Sequence, residues 1–249
     1  MVSYTIVDGS YFCFYRYYAL VNWWRLSHTD GETHIDNLVF FNKFKKLCKE
    51  YIQKKFKDSL VIFAKDCKRE NIWRNTHYPT YKAGRKPPPE DMSKFFIALY
   101  EICEELSIKV LAHPSLEADD CAAIYAKHLL EQGSESICIV ASDHDYFQLP
   151  PEIKLVNLAF KNIGSDRNPA FELFCKKVKG DSCDNINPIF SKCGPKTLLK
   201  YFNDLSLFNE QIKREKKEEI FALNSLLIDF NNIPQNLVEE FANNNISIK

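Results

Sequence analysis

Short apolar runs recur along the first two thirds of the chain: Tyr4–Val7, Leu60–Ala64, Ile108–Leu111, Ile137–Ala141 and Ile153–Asn157. Each is rich in Val or Ile and bounded by Asp, Gly, Ser or Pro, the pattern of short buried strands. Between them apolar positions fall three and four apart. Met92, Phe95, Phe96, Leu99, Ile102, Cys103 and Leu106 lie on one such face and predict an amphipathic helix. Strand–helix–strand alternation at this spacing predicts an α/β fold with a doubly wound, mostly parallel sheet. From about Ala170 the strand signal stops and helical patterns take over, broken at Asn187-Pro188 and Cys193-Gly194-Pro195. Two domains are expected, a sheet domain over 1–169 and a helical one over 170–249. Pro87-Pro88-Pro89 breaks the chain before the helix that begins near Met92, and that helix is expected to rise off the body.

With 249 residues, 45% of them apolar, the chain is long enough to bury a substantial core. No apolar run approaches the roughly 18 residues of a membrane span, and the N-terminus lacks the make-up of a signal peptide. Nine cysteines without a CxxC pair predict free thiols, hence an intracellular, reducing compartment. Charge changes the picture more. The 33 bases and 33 acids cancel overall, yet Lys43–Lys86 holds fourteen bases against Glu50, Asp58, Asp66 and Glu70. A solvated basic face is the ordinary reading of such a run. Where the balancing acids go decides otherwise.

Those acids recur where a parallel sheet ends its strands. Asp8 follows the first run and Asp66 the second. Glu117, Asp119 and Asp120 follow the third in Glu-Ala-Asp-Asp, and Asp143 and Asp145 follow the fourth in Ser-Asp-His-Asp. Asp181 and Asp184 stand in Gly180-Asp-Ser-Cys-Asp-Asn-Ile. Ligands of open α/β sheets bind outside those strand ends, so the nine carboxylates are expected to converge. Taken singly, each reads better as a turn or capping residue. Five acidic stations at successive strand ends do not. Their mutual repulsion calls for cations, and oxygen donors without His or Cys suit Mg²⁺, with Mn²⁺ as a substitute. So many acids allow two ions, about 3.5–4 Å apart in two-metal phosphodiesterases, which activate water and stabilise the attacking and leaving oxygens. With these acids neutralised, the remaining surface is basic enough for a polyanionic substrate. His144 stands between two proposed ligands, but its side chain is expected to point away from theirs.

At these residues the chain resembles the 5′-nuclease superfamily of flap endonucleases and 5′→3′ exonucleases. The likeness rests on the Val-Asp-Gly-Ser start, Tyr81-Lys82-Ala83-Gly84-Arg85-Lys86, Glu117-Ala118-Asp119-Asp120, Ser142-Asp143-His144-Asp145 and Gly180–Ile186, in the family's order and spacing. Arg85–Glu117 looks like the nuclease domain of bacterial DNA polymerase I. The tail from Asn224 through Ile233-Pro234 looks like freestanding phage enzymes, including the phage ribonuclease H, so a stand-alone nuclease, monomeric and of phage type, is expected. The resemblance implies that Asp8, Asp66, Glu117 and Asp119 hold a catalytic ion with Asp120 beside them. It implies that Asp143, Asp145 and Asp181 serve a second ion, with Asp184 in its outer shell. Lys82 and Arg85 match bases at the foot of a helical arch near 82–106 that contact the scissile phosphate, with Lys86 next to them. Tyr81 is expected either to stack on an unpaired base or to be a core aromatic. Ile186–Lys200 corresponds to a helix–turn–helix variant that grips duplex DNA through Gly194, Lys196 and Thr197 around a monovalent cation. Here Lys192-Cys193-Gly194-Pro195 replaces the family's Gly-hydrophobic-Gly turn, which removes one glycine from the cation site.

The activity implied is a Mg²⁺-dependent, structure-specific 5′ nuclease acting at single-strand/duplex junctions of DNA, with RNA primers in RNA:DNA hybrids as a further substrate. Two rivals are a PIN-type ribonuclease, which would lack the arch and the helical turn, and a silent scaffold for branched DNA, which would have lost site acids. A structural metal module would not need nine acids. Gln235, Val238 and Phe241 have the spacing of a sliding-clamp peptide, although an amphipathic helix explains them better.

Overall fold

A computed structural model describes residues 2–28 and 33–246. They fall into two compact units. The first comprises the chain up to Cys67 with Pro87–Ser142 and Glu152–Ile163; the second comprises Lys68–Lys86, Asp143–Pro151 and the chain from Gly164.

The first unit holds five strands, β1 (Tyr4–Asp8), β2 (Leu60–Ala64), β3 (Lys109–Leu111), β4 (Ile137–Val140) and β5 (Ile153–Val156). All pair in parallel, in the order β3-β2-β1-β4-β5, so the predicted runs are strands to within a residue or two at each end. Strand order reverses at β1. The crevice beyond its carboxyl end, where Asp8 stands, is the place where such sheets bind ligands.

Three helices, α1 (Gly9–Ser27), α2 (Leu38–Lys55) and α3 (Met92–Glu105), share one core with the sheet face that carries Val7, Phe63, Val140 and Val156. Asp8 caps α1 by accepting from the Tyr11 amide, and Asn37 caps α2. Aromatic edges lock the layer: Phe12 meets Phe63 at 5.3 Å and 88°, and Phe95 meets Phe44 at 4.8 Å. The pleat turns Ile6, Ile62, Ile139 and Leu155 to the other face, and α4 (Ala118–Glu131) crosses β1–β4 with a face of small residues, Ala118, Cys121, Ala122, Ala123 and Ala126.

The expectation for the helix after the triple proline is corrected. Its apolar stripe, Met92, Phe95, Leu99, Ile102 and Cys103, is buried, and α3 packs on α1 and α2 rather than rising off the body as an arch. Its start is pinned as well, because buried Asp91 accepts a hydrogen bond from the Tyr17 hydroxyl at 3.1 Å. Burying that stripe outweighs what the basic, proline-marked approach suggested.

The second unit contains α5 (Pro169–Lys179), α6 (Pro195–Asn203), α7 (Leu205–Glu215), α8 (Glu218–Ile228) and α9 (Gln235–Asn245). Phe174, Val178, Ile189, Phe190, Leu198, Phe208 and Ile212 form its core. Two earlier stretches of chain are tied to α8. Buried Arg74 donates to the Leu227 carbonyl at 2.7 Å, and Gln148 donates to Ile228 O and accepts from Phe230 N. Phe241 is fully buried in α9, so the clamp-like spacing is that of an amphipathic helix and the aromatic is not available to a clamp. All nine cysteines are free, and no helix among the described residues is long and apolar enough to cross a membrane.

Gly9 opens α1 where the backbone passes another strand. A Cβ there would lie 2.6 Å from both Ala64 O and the Tyr100 hydroxyl oxygen. Gly9→Ala is therefore expected to cost about 1–3 kcal/mol, read as a lower urea midpoint with an unchanged m-value; an unchanged midpoint would show that the contact relaxes freely.

Candidate metal centres

In the first unit, carboxylates at the ends of three parallel strands are held by backbone amides and helix N-termini. Asp8 ends β1 and accepts from Tyr11 N at 2.9 Å. Asp66, two residues past β2, links the other elements: its Oδ1 accepts from Ala118 N at 2.8 Å, and its Oδ2 accepts from the Ser10 hydroxyl. Glu117 is the N-cap of α4 and forms a capping box with Asp120, whose carboxylate accepts from Glu117 N at 3.2 Å. Asp119 accepts from Asp120 N at 2.8 Å. Glu117, Asp119 and Asp120 each bring an oxygen within 4.8 Å of the others', and Glu117 and Asp120 are buried. The positive ends of α1 and α4 favour this concentration of charge.

The field of these acids registers on their neighbours. Burial, followed by the charges of Glu117, Asp66 and Asp120, pushes the Cys67 thiol up to about 12. Burial, with Asp66 and Asp8 next, drives the Tyr100 phenol well above its ordinary value. Both groups stay neutral near pH 7 and add no charge of their own.

In the second unit the acids are held by amides and by cations. Gly180 takes φ +66°, where a Cβ would fall 2.3 Å from Ile186 O, and this turn pairs Asp181 with Ile186 across a two-way backbone bridge. Asp181 caps a short 3₁₀ turn, Ser182–Asp184, and Asp143 caps another, His144–Gln148, by accepting from Asp145 N at 3.0 Å. Asp145, Asp181 and Asp184 form a second group with oxygens within 4.8 Å of one another. Lys176 pairs with Asp145 and lies 3.0 Å from Asp181 Oδ2. Burial tends to raise the Asp181 carboxyl, but Lys176 and the amides of Cys183 and Asp184 outweigh it and hold the group below the usual carboxylate value.

Asp184 is buried and organises the basic motif. Its Oδ1 pairs with Arg85; its Oδ2 accepts from the Tyr81 hydroxyl at 3.0 Å and lies 3.7 Å from Lys82 Nζ; its carbonyl accepts from Lys82 N at 2.9 Å. Lys82 is itself buried and has a left-handed φ of +56°. Asn185 completes the junction, donating to Thr80 O and accepting from the Tyr78 hydroxyl. A cavity of about 580 Å³ opens beside it, lined by Arg85, Lys86, Asp143, Asp181 and Cys183 among others.

The nine predicted acids thus divide, five in the first unit and four in the second. Two of the predicted side chains, Tyr81 and Asp184, are buried against each other. Tyr81 is buried, as its core-aromatic alternative has it, with Lys82 5.0 Å and Arg74 5.7 Å from its ring centroid and its hydroxyl donating to Asp184. Asp184 has both oxygens engaged, Oδ1 by Arg85 and Oδ2 by Tyr81 and Lys82. Arg85, Lys86, Gly194, Lys196 and Thr197 are exposed, the last three at the start of α6, and Gly194 has an ordinary φ of −78°. His144 stacks on Phe147 at 4.5 Å, turned there by a 3₁₀ turn rather than by strand alternation. Lys176 and Ser10 escaped sequence reasoning. Lys176 sits in an ordinary basic helix end, and Ser10 beside Asp8 carried the only local signal, as part of Val-Asp-Gly-Ser.

Both donor sets consist of carboxylate oxygens without His or Cys, the chemistry of a hard divalent cation. A 3-2-1-4-5 parallel sheet with such donors at its strand ends defines an α/β metal-dependent protein. The model of the "5'-3' exonuclease, N-terminal resolvase-like domain" family matches residues 3–173, and the chain belongs to that family. It is similar to a 5'-3' exonuclease of Buchnera aphidicola (from Acyrthosiphon pisum), with 31% identity over 81% of this chain and 70% of the relative. Flap endonuclease Xni of a Shewanella species is 34% identical over 59% of this chain and 62% of its own length. DNA polymerase I of Thermus thermophilus is 29% identical over 87% of this chain but only 26% of its own. Among solved structures, the T5 D15 protein crystallised with metal ions superposes with a TM-score of 0.63 at 16% identity, covering 97% of each chain, which shows a shared fold.

Removing the Asp184 carboxylate strands Lys82 in a buried position. Asp184→Ala is expected to cost about 3 kcal/mol and to lower the melting temperature, whereas Tyr81→Phe, which loses one hydrogen bond, costs about 1 kcal/mol. Equal losses in urea titrations would refute that ranking. The Asp181 carboxyl, held low when folded, adds stability that is complete above its unfolded value near 3.9 and is lost as pH falls through the folded value. Without divalent ions, Asp181→Asn should therefore flatten the acid limb of a stability–pH profile.

Proposed function

We propose that the chain is a divalent-metal-dependent, structure-specific 5′ nuclease that hydrolyses phosphodiesters of DNA near single-strand/duplex junctions. The observation that carries this reading is the gathering of Asp8, Asp66, Glu117 and Asp119 around the N-termini of α1 and α4, the oxygen-donor set that phosphoryl hydrolysis requires. Family membership and the names of the relatives support it.

In this reading Asp8, Asp66, Glu117 and Asp119 hold one Mg²⁺, with Asp120 fixing the geometry of Glu117 through the capping box. Asp143, Asp145 and Asp181 hold a second, with Asp184 behind them; Mn²⁺ substitutes. A divalent ion so held supplies Lewis acidity and makes a bound water a stronger acid. The chain's own groups do the rest. Ser10 and Ala118 N fix the Asp66 carboxylate, so its oxygens need no reorganisation when charge develops. Asp184 and Tyr81 hold Lys82 and Arg85 ready for a phosphate that gains negative charge, and exposed Arg85 and Lys86 reach it first. The exposed start of α6, with Gly194, Lys196 and Thr197, presents amides and a cation to a duplex phosphate. A monovalent ion bridging there is part of the proposal, and RNA primers are a second substrate of the same chemistry.

A 5′-end-labelled flap duplex tests the reading. Cleavage with Mg²⁺ should release a short labelled product, stop in EDTA, and fall by at least about 100-fold in Asp119→Asn with the fold intact by circular dichroism. Undiminished cleavage in the variant or in EDTA would overturn the metal assignment. Tight junction binding without cleavage in either Mg²⁺ or Mn²⁺ would establish the silent scaffold instead.

A further inference from the structure

Lys176 occupies a position that the activity does not explain. It lies in the last turn of α5, a helix that packs on the 3₁₀ turn bearing Asp145 and leads directly into the Gly180 turn bearing Asp181. Its ammonium pairs with Asp145 and, at 3.0 Å, with Asp181, and the three side chains are only 15–21% exposed. The next lysine along the helix points to a different acid, since Lys177 is paired with Asp229 at 2.7 Å. Asp145 and Asp181 are the acids assigned to the second cation, and the cluster's oxygens are close enough to share one ion. An ammonium and a divalent ion drawn to the same oxygens repel each other, so each weakens the other's hold.

We propose that Lys176 is a built-in competitor for the second divalent cation, the intramolecular counter-ion that a metal must displace from Asp145 and Asp181. The inference rests on the metal reading of those acids. One ammonium offsets one of two carboxylate charges. It keeps the acids from repelling one another when ions are scarce, and leaves a residual negative charge that still attracts a divalent ion. The consequence is a second site weaker than its donors alone would make it, filled only when the cation is plentiful. Lys176 acts through the two carboxylates and is a positioning residue, not a catalytic one.

Mn²⁺ titration of the full chain by calorimetry, at low ionic strength, tests this together with thermal unfolding in EDTA. Lys176→Met is expected to tighten the weaker Mn²⁺ site about tenfold and to melt several degrees lower in EDTA, with the loss recovered by Mn²⁺. Lys176→Arg keeps the charge and should follow the parent chain, as should Lys177→Met in its Mn²⁺ affinity. Unchanged or weakened Mn²⁺ binding in Lys176→Met would overturn the proposal. The metal reading fails separately if Asp181→Asn binds Mn²⁺ with the parent stoichiometry and affinities. Should Lys176→Met not fold, the unmutated chain decides: the Lys176 side-chain nitrogen resonance should shift as Mg²⁺ is added to saturation, and a resonance that does not move refutes competition.

Discussion

Carboxylates drawn together and away from water repel one another, and the structure of this chain turns on how that repulsion is met. The two units meet it differently. In the first, compensation comes from the backbone: Tyr11 N and Ala118 N donate to Asp8 and Asp66, and the N-termini of α1 and α4 lie against the acids. Such donors are fixed by the fold and carry no mobile charge. In the second, side-chain cations join the amides, with Lys176 between Asp145 and Asp181, and Lys82 and Arg85 on Asp184. Those charges can be exchanged for others.

That difference bears on chemistry. A site stiffened by amides and a capping box keeps its oxygens in place through a reaction, which is what electrostatic preorganisation requires. A site compensated by flexible cations can respond to what it binds. Asp184 stands at the boundary between these roles. Both its oxygens are engaged, and it holds the two bases and Tyr81 in register. The left-handed backbone of Lys82 is the local cost of that arrangement, stabilised by the amide bond to Asp184 O.

Tight backbone approaches complete the frame. Gly9 allows α1 to start directly against Ala64 O and the Tyr100 hydroxyl, which sets Asp8 beside Asp66's partner Ser10. Gly180 allows the chain to double back so that Asp181 and Asp184 face the segment from Tyr78 to Arg85. At each glycine a methyl group would press on backbone close to an acid, Ala64 O at Gly9 and Ile186 O at Gly180.

Much of this was written in local pattern. Each of the five strands showed as a short Val- and Ile-rich run, and the stripe from Met92 to Cys103 marked α3 correctly as amphipathic. The acids were legible because strand ends and helix starts are themselves local signals, and Asp8, Glu117, Asp143 and Asp181 each stand at one. What the sequence by itself determined was therefore period, capping and the order of the acidic stations. Only the tertiary structure decided that the α3 stripe packs on the body, that Tyr81 is a buried prop, and that Lys176, among many lysines, meets Asp145 and Asp181. Each of those outcomes depends on partners from separate elements. Periodicity says which face of a helix is apolar, but what that face or a charge meets is set by long-range packing and by competition among many equivalent groups.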